Sequence, residues 1–213
     1  MARVICVAGE SGSGKTTSMR NLDPETTYYI DCDRKGLSWK GWRGQYNREK
    51  KNYLANDNIE FVKKCLIGVV RTRPEIKTIV IDTIGNLMTA EEIGRIKEKG
   101  YDKWIDLAQG VWELIDASGD LRDDLTVIYT AHTQTERDES GYLFTKIKTN
   151  GRKLEKICLE SKFTTVLIAK CSGGRYFFET HANNSTAKTP FGAFDADEVD
   201  NDIAEIIKVL EEF

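Results

Sequence analysis

The chain has 213 residues, of which 40% are hydrophobic and 31% are charged, with a formal net charge of −3. This composition is typical of a soluble globular protein, and the length predicts a single domain over residues 1–213. No run approaches the roughly 18–20 apolar residues that cross a bilayer, so we expect no membrane partner. Five scattered cysteines without a CxxC pair argue against a disulfide scaffold and a zinc site and predict a cytoplasmic protein.

The net charge averages over segments of opposite sign. Residues 34–51 carry seven Lys and Arg against one acid, and residues 142–156 carry five against one. Residues 194–213 carry eight acids against one lysine. A chain that is acidic overall is not an obvious polyanion binder, but the two basic segments leave that function open.

The first half of the chain alternates short apolar runs with helical patterns. Three β-branched runs predict buried strands: Val4–Ala8, Thr27–Asp31 and Lys77–Asp82. Lys15–Leu22 predicts a short helix. Asn58 is placed to cap a longer helix, which would bury Val62, Leu66, Val69 and Val70.

The second half continues this alternation. Spacings of three and four predict an amphipathic helix through Trp104, Leu107, Ala108, Val111, Trp112 and Ile115. Thr126–Ala131 predicts a strand, and Thr164–Ala169 with Tyr176–Glu179 predicts a hairpin. A final helix is predicted through Val199, Ile203, Ile206, Ile207 and Leu210. The whole pattern predicts an α/β fold: a mostly parallel central sheet flanked by helices, with a C-terminal β-hairpin and helix.

A glycine-rich turn joins the first strand to the first helix. Its sequence, GESGSGKT, matches G-x-x-x-x-G-K-[ST] without departure. Glycines let backbone N–H groups converge on phosphate oxygens, and the helix start adds a favourable dipole. We expect Lys15 to reach the β- and γ-phosphates of ATP. The predicted nucleotide-binding residues are Gly9, Glu10, Ser11, Gly12, Ser13, Gly14, Lys15, Thr16 and Thr17.

A magnesium site is predicted beside this turn. Thr16 occupies the position whose hydroxyl ligates Mg²⁺ in such turns. A carboxylate at the end of a buried strand is needed to hold the water shell of the ion, and Asp82 closes the run TIVI. Thr16 and Asp82 are therefore the predicted metal residues.

Two other classes of nucleotide-binding protein share part of this pattern. DTIG at residues 82–85 fits the DxxG of GTPases, but no NKxD sequence follows, so a GTPase is disfavoured. A kinase for a small substrate is compatible with the length. The short helix after the turn and the carboxylates that end the second strand argue against it.

The order of the motifs resembles the RecA-type ATPase core. The segments that carry this resemblance are GESGSGKTT at 9–17, YIDCD at 29–33, IVID at 79–82 and VIYTAH at 127–132. More narrowly, the chain resembles phage-encoded RecA-like nucleotide-binding proteins, a group that includes single-strand annealing recombination proteins. The resemblance implies a RecA-like P-loop NTPase domain, Mg²⁺-dependent hydrolysis of ATP to ADP, and a bacterial host cytoplasm.

Three catalytic roles follow from this resemblance. RecA-type proteins place a carboxylate after the second strand to orient and deprotonate the attacking water, which implies Asp33, with Asp31 as the competitor. A polar residue after the fourth predicted strand senses the γ-phosphate, which implies His132. The segment AKTPF resembles the one that sends lysines into a neighbour's ATP site. This likeness implies Lys188 in trans, with Arg175 as the alternative, and a homo-oligomer.

Two segments combine the basic and aromatic residues that bind single-stranded DNA, in which cations follow phosphates and rings stack on bases. The first, residues 34–53, contains Arg34, Lys35, Trp39, Lys40, Trp42, Arg43, Tyr46, Arg48 and Tyr53. The second, residues 133–157, lies where a RecA-type DNA loop would lie and contains Arg137, Tyr142, Phe144, Lys146, Lys148, Arg152 and Lys153. Alternatively, Trp39 and Trp42 pack a lid over the nucleotide, and residues 142–148 form a β-hairpin with a solvated basic face.

Together these patterns predict an ATPase that acts on single-stranded DNA in phage recombination, replication or repair. Two alternatives stay open. The first is a phosphotransferase that acts on a small substrate beside Asp33. The second is an oligomeric scaffold that binds ATP with little hydrolysis.

Overall fold

The computed structural model describes residues 1–98, 102–137, 139–149 and 158–213, with side chains for all of these except 102–108. The described strands are β1 (Arg3–Gly9), β2 (Thr27–Asp31), β3 (Tyr53–Ala55), β4 (Thr78–Asp82), β5 (Thr126–Arg137), β6 (Leu143–Ile147), β7 (Thr165–Ser172), β8 (Arg175–Glu179) and β9 (Glu198–Asp200). The described α-helices are α1 (Trp42–Gln45), α2 (Ile59–Thr72), α3 (Ile84–Gly94), α4 (Asp102–Gly119) and α5 (Ile203–Leu210). Two short 3-10 helices lie at Thr17–Asn21 and Leu159–Lys162.

The strands form a sheet in the order β3-β2-β4-β5-β1-β7-β8-β9, and β6 pairs with the second half of β5. The strands from β3 to β7 in this order run parallel, whereas β8 and β9 add antiparallel. The predicted α/β fold, with its mostly parallel sheet and C-terminal hairpin and helix, is confirmed. Because parallel strands end at the same edge of a sheet, the carboxyl ends of β1, β2, β4 and β5 lie side by side.

Two apolar layers cover the sheet. Ile79 and Ile81 of β4 face the layer made by α2, α3 and α4, whereas Val80 faces the opposite layer, as the two-residue period of a strand requires. The opposite layer includes Met19 of the first 3-10 helix and Ile203 of α5. Among the described helices, none is both long and apolar enough to span a membrane.

Side-chain caps place the starts of two helices. Asn58 accepts a hydrogen bond of 2.9 Å from the Phe61 N–H, as predicted for the start of α2. Asp202 accepts one of 3.1 Å from the Ala204 N–H and starts α5. The predicted final helix is therefore wrong at Val199, which lies in β9 and pairs with β8.

The helix predicted for Lys15–Leu22 is also wrong in type, because the structure has the 3-10 helix Thr17–Asn21 there. Leu22 is already extended, with ψ 138°. A proline disfavours helical geometry in the residue before it, so Pro24 leaves no room for a regular α-helix.

The strand predicted to end at Ala131 continues to Arg137, and its second half pairs antiparallel with β6. Residues 142–148 therefore contribute one strand, β6, to a hairpin with β5 and do not form a hairpin by themselves. The predicted residues Arg152 and Lys153 lie outside the described residues. The predicted amphipathic helix is confirmed as α4, although its first apolar side chains (Trp104, Leu107 and Ala108) also lie outside the described set.

Candidate nucleotide-binding site

The glycine-rich turn lies at the carboxyl end of β1. A Cβ atom on Gly9 would lie 2.5 Å from Ser13 Oγ and 2.6 Å from the Ala169 carbonyl oxygen, so only glycine fits there. Gly14 has a φ of 95°, and a Cβ at this position would lie 2.9 Å from the Tyr176 ring. These glycines keep the turn narrow, which lets the backbone close around a phosphate chain.

Lys15 is buried inside the turn, with 6% of the residue exposed. Its Nζ donates hydrogen bonds of 2.8 Å to the Gly9 carbonyl and 2.7 Å to the Glu10 carbonyl. Burial lowers the pKa of Lys15 to about 8, with a further lowering by Lys35, while the nearby Asp82 opposes the shift. Within the described part of the chain, the hydrogen-bond partners of the ammonium are these two carbonyls and no carboxylate. Anionic phosphates would therefore stabilise its charged form.

Ser13 supports the same interpretation. Its Oγ is buried and has no hydrogen-bond partner among the described residues. Buried polar groups in native proteins normally have a partner. A phosphate oxygen in the turn would supply one.

Asp82 lies at the end of β4, opposite the turn, and is 3% exposed. Its Oδ2 accepts hydrogen bonds of 2.7 Å from Thr16 Oγ1 and from the Tyr29 hydroxyl. Its Oδ1 accepts one from Thr130 Oγ1. A hydroxyl and a carboxylate in contact are oxygen ligands of the kind that Mg²⁺ prefers beside phosphates, so Thr16 and Asp82 fit this ion.

The two aspartates after β2 have different surroundings. Asp31 is buried, and its Oδ2 accepts hydrogen bonds of 2.7 Å from the Tyr53 hydroxyl and the Gly36 N–H. Asp33 accepts one of 2.8 Å from Thr83 Oγ1 and pairs with Lys35. Asp31 is therefore committed to the fold, whereas Asp33 faces the site.

Asp33 is held as a carboxylate. Burial works to raise its pKa, but the hydrogen bonds from Lys35 and Thr83 hold the pKa below the usual value of an aspartate. A carboxylate that is ionised at neutral pH can accept a proton from water.

His132 pairs in register with Gly9, so it lies beside the start of the turn. Burial and the nearby Lys15 charge lower the pKa of His132. The imidazole is therefore neutral at pH 7 and can form a hydrogen bond with a phosphate oxygen.

Two adjoining cavities lie at this edge of the sheet. One, of about 280 Å³, is lined by the turn residues from Ser11 to Thr17 except Ser13, and by Tyr176. The other, of about 350 Å³, is lined by Asp33 and Lys148. Lys35, Thr83 and His132 line both cavities. The structure thus places six of the nine predicted turn residues beside His132, with Asp33 in the adjoining cavity and Asp82 in contact with Thr16. The other three, Gly9, Glu10 and Ser13, line a neighbouring cavity of about 340 Å³.

The profile of a protein family described as AAA domain (AAA_24) matches residues 1–191. The chain belongs to this AAA domain family. Its fold is similar to a KaiC-like protein, PH0186, from the hyperthermophilic archaeon Pyrococcus horikoshii OT3, at 12% sequence identity and a TM-score of 0.48. That similarity covers 83% of this chain and 76% of the archaeal chain. No curated protein matches at a significant level.

In this AAA domain, Lys188 lies away from its own turn. Its backbone exchanges hydrogen bonds of 2.8 and 2.9 Å with Val166 of β7. Val166 pairs with Cys6, three residues before Gly9 on β1, which is roughly 10 Å along the strand. The trans role of Lys188 stays a prediction. The alternative, Arg175, pairs with Glu198 at 3.1 Å.

The aromatic residues of the first basic segment pack against the AAA domain itself. Trp39 and Tyr46 contact Tyr29 edge-on, with ring centroids 6.3 and 5.5 Å away. Trp42 contacts Tyr53 at 5.5 Å. These rings are therefore part of the layer that covers the sheet beside Asp82, which counts against their use as a base-stacking surface.

Sequence reasoning missed several residues of the AAA domain site. Thr130 and Thr83 donate hydroxyl hydrogen bonds to Asp82 and Asp33, the two predicted carboxylates. Thr130 lies two residues before His132, at the carboxyl end of the sheet. This position in the sequence is the signal that could have indicated it. Thr83 directly follows Asp82. Tyr176 lies in β8, and no motif near it in the sequence indicates that it lines the cavity.

Proposed function

We propose that this AAA domain binds ATP with Mg²⁺ and hydrolyses it to ADP and phosphate. One arrangement carries this proposal: Lys15 and Thr16 of the turn lie opposite Asp82, while Asp33 and His132 line the adjoining cavities. These are a phosphate-binding cation, oxygen ligands for a metal, a base and a hydrogen-bonding group, the parts that phosphoryl transfer to water requires.

Each residue has one step in this mechanism. Lys15 exchanges the Gly9 and Glu10 carbonyls for phosphate oxygens. Asp33 orients a water molecule and accepts its proton as the water oxygen bonds to the γ-phosphorus. The bond to the β–γ bridging oxygen breaks, and ADP leaves with its electron pair. Thr16 and Asp82 would hold Mg²⁺, which when bound neutralises phosphate charge.

The test is the steady-state rate of ATP hydrolysis by the wild type and Lys15→Ala. We expect the variant to lose at least about 100-fold in kcat/KM, because a phosphate-binding cation is removed. Lys208→Ala is a matched control, since Lys208 is an exposed lysine on α5 that pairs with Glu205 at 2.7 Å. Turnover by Lys15→Ala at the wild-type rate would contradict the proposed site.

We propose further that the ATP cycle acts on single-stranded DNA, in phage recombination, replication or repair. The β5–β6 hairpin supports this role, since it begins at the predicted sensor. The Lys148 N–H donates a hydrogen bond of 2.7 Å to the His132 carbonyl. The hairpin also presents Tyr142 and Phe144, which are 48% and 37% exposed. A movement of His132 on ATP binding or hydrolysis would therefore be passed to the β5–β6 hairpin, which carries basic and aromatic groups.

The DNA proposal is tested by ATPase rates with and without single strands and by filter binding over a salt series. We expect Phe144→Ala to weaken binding roughly 5- to 100-fold, as for the loss of one base-stacking ring. Phe213→Ala changes an aromatic residue outside the hairpin that is 61% exposed, against 37% for Phe144, and serves as the control. If single strands neither bind nor stimulate at low salt, the DNA role fails and the ATPase proposal stands.

A phosphotransferase is the second candidate, favoured by the cavity of about 350 Å³ beside Asp33. Lys35 and Lys148 line it, so an anionic acceptor would fit there. A small acceptor that stimulates ATP turnover and appears as a phosphorylated product in ³¹P NMR spectra would select this function.

We also propose that Lys188 acts in trans within a homo-oligomer. A mixture of Lys188→Ala and Lys15→Ala chains tests it, because a trans lysine from a Lys15→Ala subunit would complete the site of its neighbour. Recovery of turnover on mixing is the expected result. ATP-dependent assembly with negligible turnover would select the scaffold function instead.

A further inference from the structure

Lys35 is held over the site by a tight turn after β2. Arg34 and Gly36, on either side of it, have left-handed φ angles of 57° and 81°. The Gly36 N–H donates a hydrogen bond of 2.7 Å to Asp31 Oδ2, which fixes the turn to the buried end of the strand. The turn brings the Lys35 ammonium back onto Asp33.

Lys35 differs from the other cations of residues 34–51. It is the one cation of this segment that lines both cavities at the sheet edge. Arg34 pairs with Asp57 at 3.3 Å, and Lys50 pairs with Glu25 at 3.3 Å. Neither of these two lines either cavity.

The Lys35 ammonium can exchange Asp33 for another anionic partner. The Lys35 side chain is 60% exposed, whereas that of Asp33 is 13% exposed, so the lysine can move to another anion while the carboxylate stays in the site. The ammonium also lies close enough to Lys15 and His132 to lower the pKa of both. It therefore already acts electrostatically on the groups that face the phosphates.

We propose that Lys35 is a catalytic residue that acts in cis, leaving Asp33 for the γ-phosphate when ATP binds. The proposal rests on the proposed ATPase function. The exchange frees the Asp33 carboxylate to take the proton of the attacking water. As the bond from the γ-phosphorus to the bridging oxygen breaks, the Lys35 ammonium stays protonated and neutralises charge on the transferring group.

This role differs from that of a lysine supplied by a neighbour. A cis residue belongs to the same chain as Lys15, so the two cannot be separated between subunits. Mixing Lys35→Met with Lys15→Ala chains is therefore expected to recover no turnover. The mixture of Lys188→Ala with Lys15→Ala chains, by contrast, tests the residue supplied in trans.

The experiment compares Lys35→Met, Lys35→Arg and the matched control Lys208→Met. Titration with fluorescent analogues of ADP and of non-hydrolysable ATP is expected to show at least about tenfold weaker ATP binding by Lys35→Met. ADP binding should be unchanged within twofold, because ADP has no γ-phosphate. We expect kcat to fall roughly 100- to 1,000-fold in Lys35→Met and to recover in part in Lys35→Arg.

Three outcomes would overturn the cis role of Lys35. They are wild-type ATP affinity and kcat in Lys35→Met, an equal loss of ADP and ATP affinity, and recovered turnover on mixing with Lys15→Ala. In each case a wild type that still binds and hydrolyses ATP leaves the proposed function standing. If wild type and Lys15→Ala alike fail to bind and hydrolyse ATP, the proposed function fails by itself.

Discussion

At the scale of single residues, the site depends on which of two neighbouring carboxylates faces the cavities. Asp31 is the last residue of β2, and Asp33 follows it two positions later. Asp31 receives hydrogen bonds from the fold on one oxygen, and Asp33 faces Lys35, Thr83 and a cavity. We therefore propose the catalytic role for Asp33 and a structural role for Asp31.

Substitution of each aspartate by asparagine separates these roles. Asp33→Asn is expected to lower kcat roughly 100- to 10,000-fold, because the base is lost, with little effect on stability. Asp31→Asn is expected to cost about 1–3 kcal/mol in the free energy of unfolding, because buried donors lose a charged acceptor. Steady-state kinetics and urea unfolding check the two effects, and the reverse pattern would contradict the assignment.

The buried ammonium of Lys15 makes a second prediction at this scale. Its pKa is about 8 without a ligand, and phosphates would raise it by favouring the charged form. ATP binding should therefore take up about half a proton near pH 8 and close to one near pH 9, an uptake that vanishes near pH 6.5, where Lys15 is protonated in both states. Calorimetry in buffers of different ionisation enthalpy measures it, with Lys15→Met as the control that takes up none.

At the scale of elements, a C-terminal helix supports the segment after the glycine-rich turn. Arg20 of the 3-10 helix donates a hydrogen bond of 2.7 Å to the Asn201 carbonyl, and Asn21 Nδ2 donates one of 2.5 Å to Asp202. A five-residue 3-10 helix has little stability of its own. The helix α5, which lies in the acidic segment 194–213, therefore supports the chain directly after the turn.

Removing apolar contacts of α5 tests this support. Ile206 is 3% exposed, so Ile206→Ala should cost about 2–5 kcal/mol in the free energy of unfolding. Nucleotide affinity should also fall, because the segment after the turn loses its packing. Glu205→Ala, at an exposed position on the same helix, should change stability by less than about 0.5 kcal/mol. Chemical denaturation with nucleotide titration checks both variants. Wild-type stability in Ile206→Ala would contradict the proposed support by α5.

At the scale of the whole molecule, the two basic segments meet. Lys35 and Lys148 are far apart in sequence but line one cavity. The parallel sheet brings them together, since one follows β2 and the other lies beside β5 at His132. The net charge of −3 thus coexists with a local concentration of cations where an anionic ligand would bind.

Ligand binding should therefore stabilise the whole fold. Mg·ADP at 100 times its Kd should add about 2.7 kcal/mol to the free energy of unfolding. For a domain of this size that is a rise in Tm of roughly 5–10 °C. Thermal unfolding with and without Mg·ADP measures it, and Lys15→Ala should show a much smaller shift. A wild-type Tm independent of Mg·ADP would count against the nucleotide site.

The sequence by itself determined the contiguous features. The glycine-rich turn from Gly9 to Thr16, the strands β1, β2 and β4, and Asp82 could all be predicted, because their signals depend on spacing within a few residues. The capping of α2 by Asn58 is local in the same way. These features give the edge of the sheet at which the nucleotide is proposed to bind.

Only the tertiary structure decided the rest, because each of these choices depends on a partner distant in sequence. Tyr53 occupies Asp31 and Thr83 orients Asp33, which no local pattern near β2 indicates. Trp39 packs on Tyr29 and not outward, although its sequence neighbourhood is basic. Sheet order then places Lys35 beside His132, since strands that are separate in the chain end at one edge.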